Sequence, residues 1–205
     1  MSAEQIERIA QLLESYYQRA PAIVRRSVAS HNPKDHAVPQ DMWAGPVNSE
    51  GWVDWKLLPS TVTDDDIAEL EVRFAVAYPP SFRAYLRARF HCFDQVRSAR
   101  YDQLISLPKM QTRDPLYQVR ELLAAYRSLI PAQLIAFAEW GDGWGPMCFD
   151  AQRRGGDGEC PILWLDHELI PFGQQTIARS KVAPLEKFLY GSFEELLQDV
   201  FGHAG

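Results

Sequence analysis

The 205-residue chain has little of what the common function classes require. It holds only three cysteines, Cys92, Cys148 and Cys160, an odd number with no C-x-x-C pair. That excludes a disulfide framework and a cysteine-based zinc site, and it suits a reducing compartment. No run of about 18 apolar residues exists, and Met1 to Ile9 lacks the apolar stretch of a secretory signal. A cytoplasmic location is therefore expected, without a membrane span. Basic residues are outnumbered, 21 against 27 acidic ones, for a formal net charge of −6. A protein that covers nucleic-acid phosphates needs the opposite balance, whereas an acidic surface favours a basic protein partner. No G-x-S-x-G, H-E-x-x-H or dinucleotide-binding fingerprint occurs. Arg153 to Glu159 is glycine-rich, but it lacks the Gly-Lys-Ser/Thr ending of a phosphate loop and reads as a flexible loop.

What is present is an ordinary globular composition, 46% hydrophobic and 23% charged, with an unusual supply of aromatics: 12%, including six Trp. Ser2 and Gln5 have capping-box spacing, and Ile6, Ile9, Leu13, Tyr16 and Tyr17 follow on one helical stripe. Pro21 interrupts it, and Ile23 to Val28 read as one or two further turns. His31 to Glu50, with Pro33, Pro39 and Pro46, is an irregular connection. The domain reading is therefore an N-terminal helix and linker, 1–50, packed on a domain over 51–205. A lone amphipathic helix would be marginal in water, which argues for packing.

Gly51 to Leu58 reads as a strand or extended arm ended by Pro59. Thr63 then caps a helix whose first turn is Asp64-Asp65-Asp66. Carboxylates at the positive end of a helix need no further explanation, and successive helical residues diverge too far to share a metal. Ile67, Leu70 and Phe74 are the apolar stripe of that helix. Tyr78-Pro79-Pro80 stops it, and a second helix near Ser81 turns Phe82, Tyr85 and Leu86 inward. Gln103 to Leu107 suits a strand, and Pro115 starts a helix carrying Leu116, Val119, Leu122, Leu123 and Tyr126. The centre of the chain is two β-prone runs, Leu134–Glu139 and Met147–Asp150, joined across Gly141-Asp142-Gly143 and flanked by Trp140 and Trp144. Ile162–Asp166 is a third strand, and Ser192 opens an amphipathic helix of Phe193, Leu196, Leu197 and Val200, with Glu195 at the capping-box position. Strands in a run between helices, without regular βαβ alternation, imply an α+β fold with a twisted, mostly antiparallel sheet flanked by helices.

The hairpin resembles that of the SUKH superfamily, the Smi/Knr-like domain, at Leu134, Ile135, Phe137, Gly141, Asp142, Gly143, Cys148 and Asp150. Leu58-Pro59, Ile67, Leu70, Glu71, Phe74, Pro79-Pro80, Phe82, Tyr85 and Leu86 stand at matching spacing in the first half of that pattern. The Ser192-Phe193 helix matches its end, so the resemblance spans Leu58 to Phe201. It departs at Arg89-Phe90-His91-Cys92, where many members carry Asn-Gly-Gly. The resemblance implies a protein-binding fold without a common active site. Its members serve widely as immunity proteins that neutralise polymorphic toxins and, in fungi, within a regulator of cell-wall synthesis.

Residue chemistry agrees with a non-catalytic reading. His167, between Asp166 and Glu168, is the best single acid/base candidate, but alternation along a strand would face it away from both neighbours. Cys148 lies in an apolar run, where a buried thiol is inert. No catalytic residue, cofactor or metal is therefore expected. The expected partner is a protein, a basic toxin domain if the chain is an immunity protein, with a regulatory or scaffolding adaptor as the alternative. The residues proposed to meet it are Trp140, Asp142, Trp144, Asp150, Asp166, His167 and Glu168, an acidic patch with embedded aromatics.

Overall fold

The structure, a computed structural model, describes residues 2–20, 25–27, 37–170 and 176–203. Helix α1 (Ala3–Arg19) starts as its sequence predicts, with the Ser2 hydroxyl accepting from the Gln5 amide at 3.2 Å. Ile9, Ala10 and Leu13 are its buried face. The expected continuation of helical turns past Pro21 is not found where the chain is described. Residues Arg25–Ser27 form β1, antiparallel to β2 (Trp52–Asp54), while Ile23, Val24 and Val28 lie outside the described residues. Pairing with β2 satisfies backbone groups that a proline-interrupted helix would leave open. Of the irregular connection, residues 37–50 are described, and Trp43 anchors them by donating from Nε1 to the Val38 carbonyl at 2.9 Å.

The extended segment ends as expected at Pro59, the last residue of β3 (Leu58–Pro59), which pairs with β4 (Arg89–Phe90). Between them run α2 (Asp64–Phe74) and α3 (Pro80–Ala88). The three aspartates opening α2 have separate structural tasks. Asp66 closes a capping box with Thr63, and Asp64 reaches Arg83 and Arg87 of α3 at 3.2 and 2.6 Å. Asp65 is exposed. Where the family pattern has glycines, Arg89 to Cys92 run extended with no positive φ, and His91 exchanges backbone hydrogen bonds with Met110 at 2.7 and 3.0 Å. The missing glycines are therefore not needed here.

The remaining strands are β5 (Gln95–Arg97), β6 (Leu104–Ser106), β7 (Leu134–Trp140), β8 (Pro146–Asp150), β9 (Ile162–Leu165) and β10 (Glu186–Tyr190). They form one six-stranded antiparallel sheet in the order β10-β9-β8-β7-β6-β5. The fold is thus the expected α+β class. Strands β7 and β8 are almost wholly buried because both sheet faces are covered. Ile135, Phe137, Met147, Phe149 and Ile162 face the main core with α1, α2, α3 and α6 (Phe193–Phe201). Leu134, Ala136, Cys148, Leu163 and Leu165 face a smaller core with Leu129, Ile170, Ile177 and Val182. Val182 belongs to the short helix α5 (Arg179–Val182). A bulge between Ala136 and Ala138 turns two consecutive residues, Phe137 and Ala138, to the main core. There Phe137 stacks on Phe149 at 4.0 Å, with Phe82 and Phe193 edge-on to both. Each such ring contributes roughly 1.5–3 kcal/mol by burial.

The sheet curls until its two edges are tied together. The loop after β5 reaches the β10–α6 corner, where Asp199 accepts from the Ser98 hydroxyl at 2.6 Å, the Tyr190 hydroxyl at 2.7 Å and the Arg100 amide at 2.8 Å. Burial and the Asp199 carboxylate push the Tyr190 phenol far above its ordinary range, so it stays a donor.

One core residue is costly. His91 is fully buried between Tyr85 and Phe93, and neither ring nitrogen finds a hydrogen-bond partner. Burial lowers its pKa to about 3, against the opposing field of Asp94. The unfolded chain takes up a proton near pH 6.5 that the native state refuses, so stability falls as pH drops below that value. Between pH 7 and pH 5 the protein is expected to lose roughly 2 kcal/mol from this group alone. In His91→Leu, urea titrations at the two pH values should lack that loss, and an unchanged pH slope would refute the assignment.

Candidate functional site

The β7–β8 hairpin ends in a five-residue tip, Gly141 to Gly145. Positive φ at Gly141 (64°), Gly143 (80°) and Gly145 (132°) explains the three glycines. The tip is fastened to its surroundings. Gly141 donates to the Leu104 carbonyl at 2.8 Å, Trp140 to the Gly145 carbonyl at 2.9 Å, and Trp144 to the Trp140 carbonyl at 3.0 Å.

The two tryptophans have different places. Trp140 is buried between Tyr101 and Trp164, at ring distances of 5.3 and 6.0 Å, and belongs to the core. Trp144 is 51% exposed, with its ring close over Gly141: a Cβ on that glycine would stand 3.1 Å from the indole. Asp142 is exposed beside it.

The end of β9 completes the surface. The Trp144 carbonyl accepts from the His167 amide at 3.1 Å and from Trp164 Nε1 at 3.3 Å. Asp166 accepts from the Glu168 amide at 3.0 Å and so opens a 3-10 turn over His167–Leu169. That turn replaces the strand alternation expected at His167. Its Nδ1 is buried without a hydrogen-bond partner, and Glu168 and Leu169 are exposed. Lys187 of β10 lies over Trp164, its ammonium 4.3 Å from the ring centre.

Of the seven expected residues, then, Asp142, Trp144, Asp166, His167 and Glu168 share one surface, with Trp140 behind it. Asp150 does not join them. It pairs with Leu134 at the opposite end of the hairpin and is buried, accepting from both guanidinium nitrogens of Arg179 at 3.0 and 2.7 Å and from Arg153. Burial would raise its pKa, but the two guanidiniums outweigh that and hold it below the ordinary carboxylate value. Sequence reasoning missed Trp164, Lys187 and Leu169. Trp164 was readable as an aromatic in a strand, and the aromatic run Phe188-Leu189-Tyr190 between Pro184 and Gly191 is the signal that could have found β10, which brings Lys187 to it.

Chemically the surface offers carboxylates around an exposed indole, all on short, hydrogen-bonded turns. Such an arrangement can guide a cationic surface and anchor it by aromatic contact. The cysteines supply no nucleophile: all three are buried, and burial raises the Cys160 thiol to about 11 and the Cys148 thiol further. Among the described residues, no three His, Cys, Asp or Glu side chains stand together in a way that could hold a metal ion.

No curated protein matches this chain. The model of the SMI1 / KNR4 family (SUKH-1) matches residues 61–199, a span that runs from the cap of α2 through the sheet to the last helix, and the chain belongs to that family.

Proposed function

We propose that the chain is a non-catalytic protein-binding domain that acts as a cytoplasmic immunity protein, neutralising a toxin by covering its active site. Family membership supports this reading, because SUKH domains generally bind protein partners and are generally non-catalytic. Among the described residues no helix is long and apolar enough to cross a membrane. The observation that carries the site is Trp144, an exposed aromatic fixed on a rigid turn among Asp142, Asp166 and Glu168. A basic catalytic cleft, as in enzymes that attack nucleic acids, is the partner this surface fits. In this proposal residues 51–205 form the binding domain, and α1 with the described residues 37–50 is a packed layer rather than a partner-facing arm. Ile9, Ala10 and Leu13 in the main core support that role.

The test is Trp144→Ala against a partner recovered from the native host or encoded beside the gene. Affinity should fall by about 2 kcal/mol or more, roughly 30-fold, with a nearly unchanged thermal midpoint. The ring is half exposed and its backbone bonds survive the substitution, so little stability is at stake. A large drop in midpoint with normal affinity of the folded fraction would remove the hairpin tip as the site.

A further inference from the structure

The second face of the six-stranded sheet changes character from one edge to the other. Over β7 to β9 it is apolar and covered. Toward β5 and β6 the cover ends, and the same face presents a row of cross-strand partners that is polar: Gln95, Ser106 and Glu139. Helix α4 (Tyr117–Ala125) stands beside this row and turns it into a groove of about 580 Å³. Leu122 and Tyr126 line the helix side, and the buried Leu107 and Pro108 line the other.

Its charge is one-sided. Among the described residues that line the groove, Asp94, Glu121 and Glu139 are acidic and Lys109, 3.6 Å from Asp94, is basic. Glu139 is held in place, because the Tyr126 hydroxyl donates to its Oε1 at 3.1 Å. No Lys or Arg among the described residues forms an ion pair with Glu121 or Glu139. A concave surface with apolar walls and two fixed or flanking carboxylates suits a chain that carries both aliphatic stems and positive heads.

We propose that this groove binds a lysine- or arginine-bearing extended segment of a protein partner, with its cationic groups at Glu121 and Glu139 and its aliphatic stems along Leu122 and Tyr126. The groove shares none of the hairpin-tip residues, so it stands or falls independently of that site. It adds a second contact that would lengthen the footprint of a partner along the sheet.

The probe is hexalysine titrated into the isotope-labelled full chain, with hexaglutamate as comparison, followed by amide chemical shifts. Hexalysine should shift Ser106, Gln118, Leu122 and Glu139, and hexaglutamate should not. Glu121→Lys/Glu139→Lys should weaken hexalysine binding by about tenfold or more. Glu4→Lys/Asp65→Lys, which changes net charge equally at exposed sites elsewhere, should leave most of it. If the reversed pair fails to fold, Glu121→Gln/Glu139→Gln should move affinity in the same direction. Trp144→Ala should leave hexalysine binding intact. Absent binding, unshifted amides at the groove residues, or equal losses in both charge-reversed pairs would overturn the assignment.

Discussion

Asp150→Asn is expected to lower the unfolding free energy by about 3–5 kcal/mol, and with it the thermal midpoint by roughly 10 °C. The carboxylate is fully buried and neutralises Arg179, whose fork it meets with both oxygens. Arg179 also donates to the Ala132 carbonyl and lies 2.7 Å from Glu186, so it cannot swing out to water without breaking further contacts. An amide keeps the shape but not the charge, and leaves a guanidinium poorly compensated against the smaller core. The acid response tests the same idea. Because the folded-state pKa of Asp150 is held below its unfolded value, its contribution is complete above the unfolded value and is lost as pH falls through the folded one. Denaturant titrations near pH 7 and near pH 3 should therefore differ less in the Asn variant than in the parent chain. A loss under about 1 kcal/mol at neutral pH would reduce the cluster to a surface-type ion pair.

Gly145→Ala is expected to cost about 3 kcal/mol or more. At φ 132° the backbone occupies a region that side-chain-bearing residues rarely adopt, and a Cβ there would lie 2.1 Å from the Leu165 carbonyl oxygen and 2.8 Å from the His167 nitrogen. Both are backbone atoms of the strand end that carries Asp166 to Glu168, so relief requires the tip to part from β9. The bond from the His167 amide to Trp144 would go with it. Gly143→Ala is the comparison, since a Cβ there meets nothing within 4 Å and only its φ of 80° is unfavourable. Its cost should be about 1–2 kcal/mol. Equal losses for the two would show that the close approach of the tip to β9 does not matter.

Local signals in the sequence were readable where local chemistry decides the structure. Thr63 with Asp66, Ser2 with the Gln5 amide, and Gly141-Asp142-Gly143 all act within a few residues of themselves. The last helix shows the limit of such spacing. Ser192 accepts from the Glu195 amide as expected, but the Glu195 carboxylate returns to Gly191 rather than to Ser192. What remained illegible depends on distant partners. Arg25–Ser27 is a strand because β2 lies beside it. Trp140 and Trp144 are alike by composition, and only Tyr101 and Trp164 make one of them core. Asp150 reads as a surface acid until Arg179, 29 positions on, is placed against it.

The knot of Ser98, Tyr190 and Asp199 also dates the completion of the molecule. Ser98 and Asp199 are 101 positions apart. At a ribosomal pace of about 5–20 residues per second, roughly 5–20 s separate the synthesis of the two. During that interval the β5–β6 hairpin has no corner to close against, and the free edge of β5 is open to other chains. The growing sheet is thus most exposed to wrong partners before its last helix arrives, and a chaperone that holds early strands would act within that window.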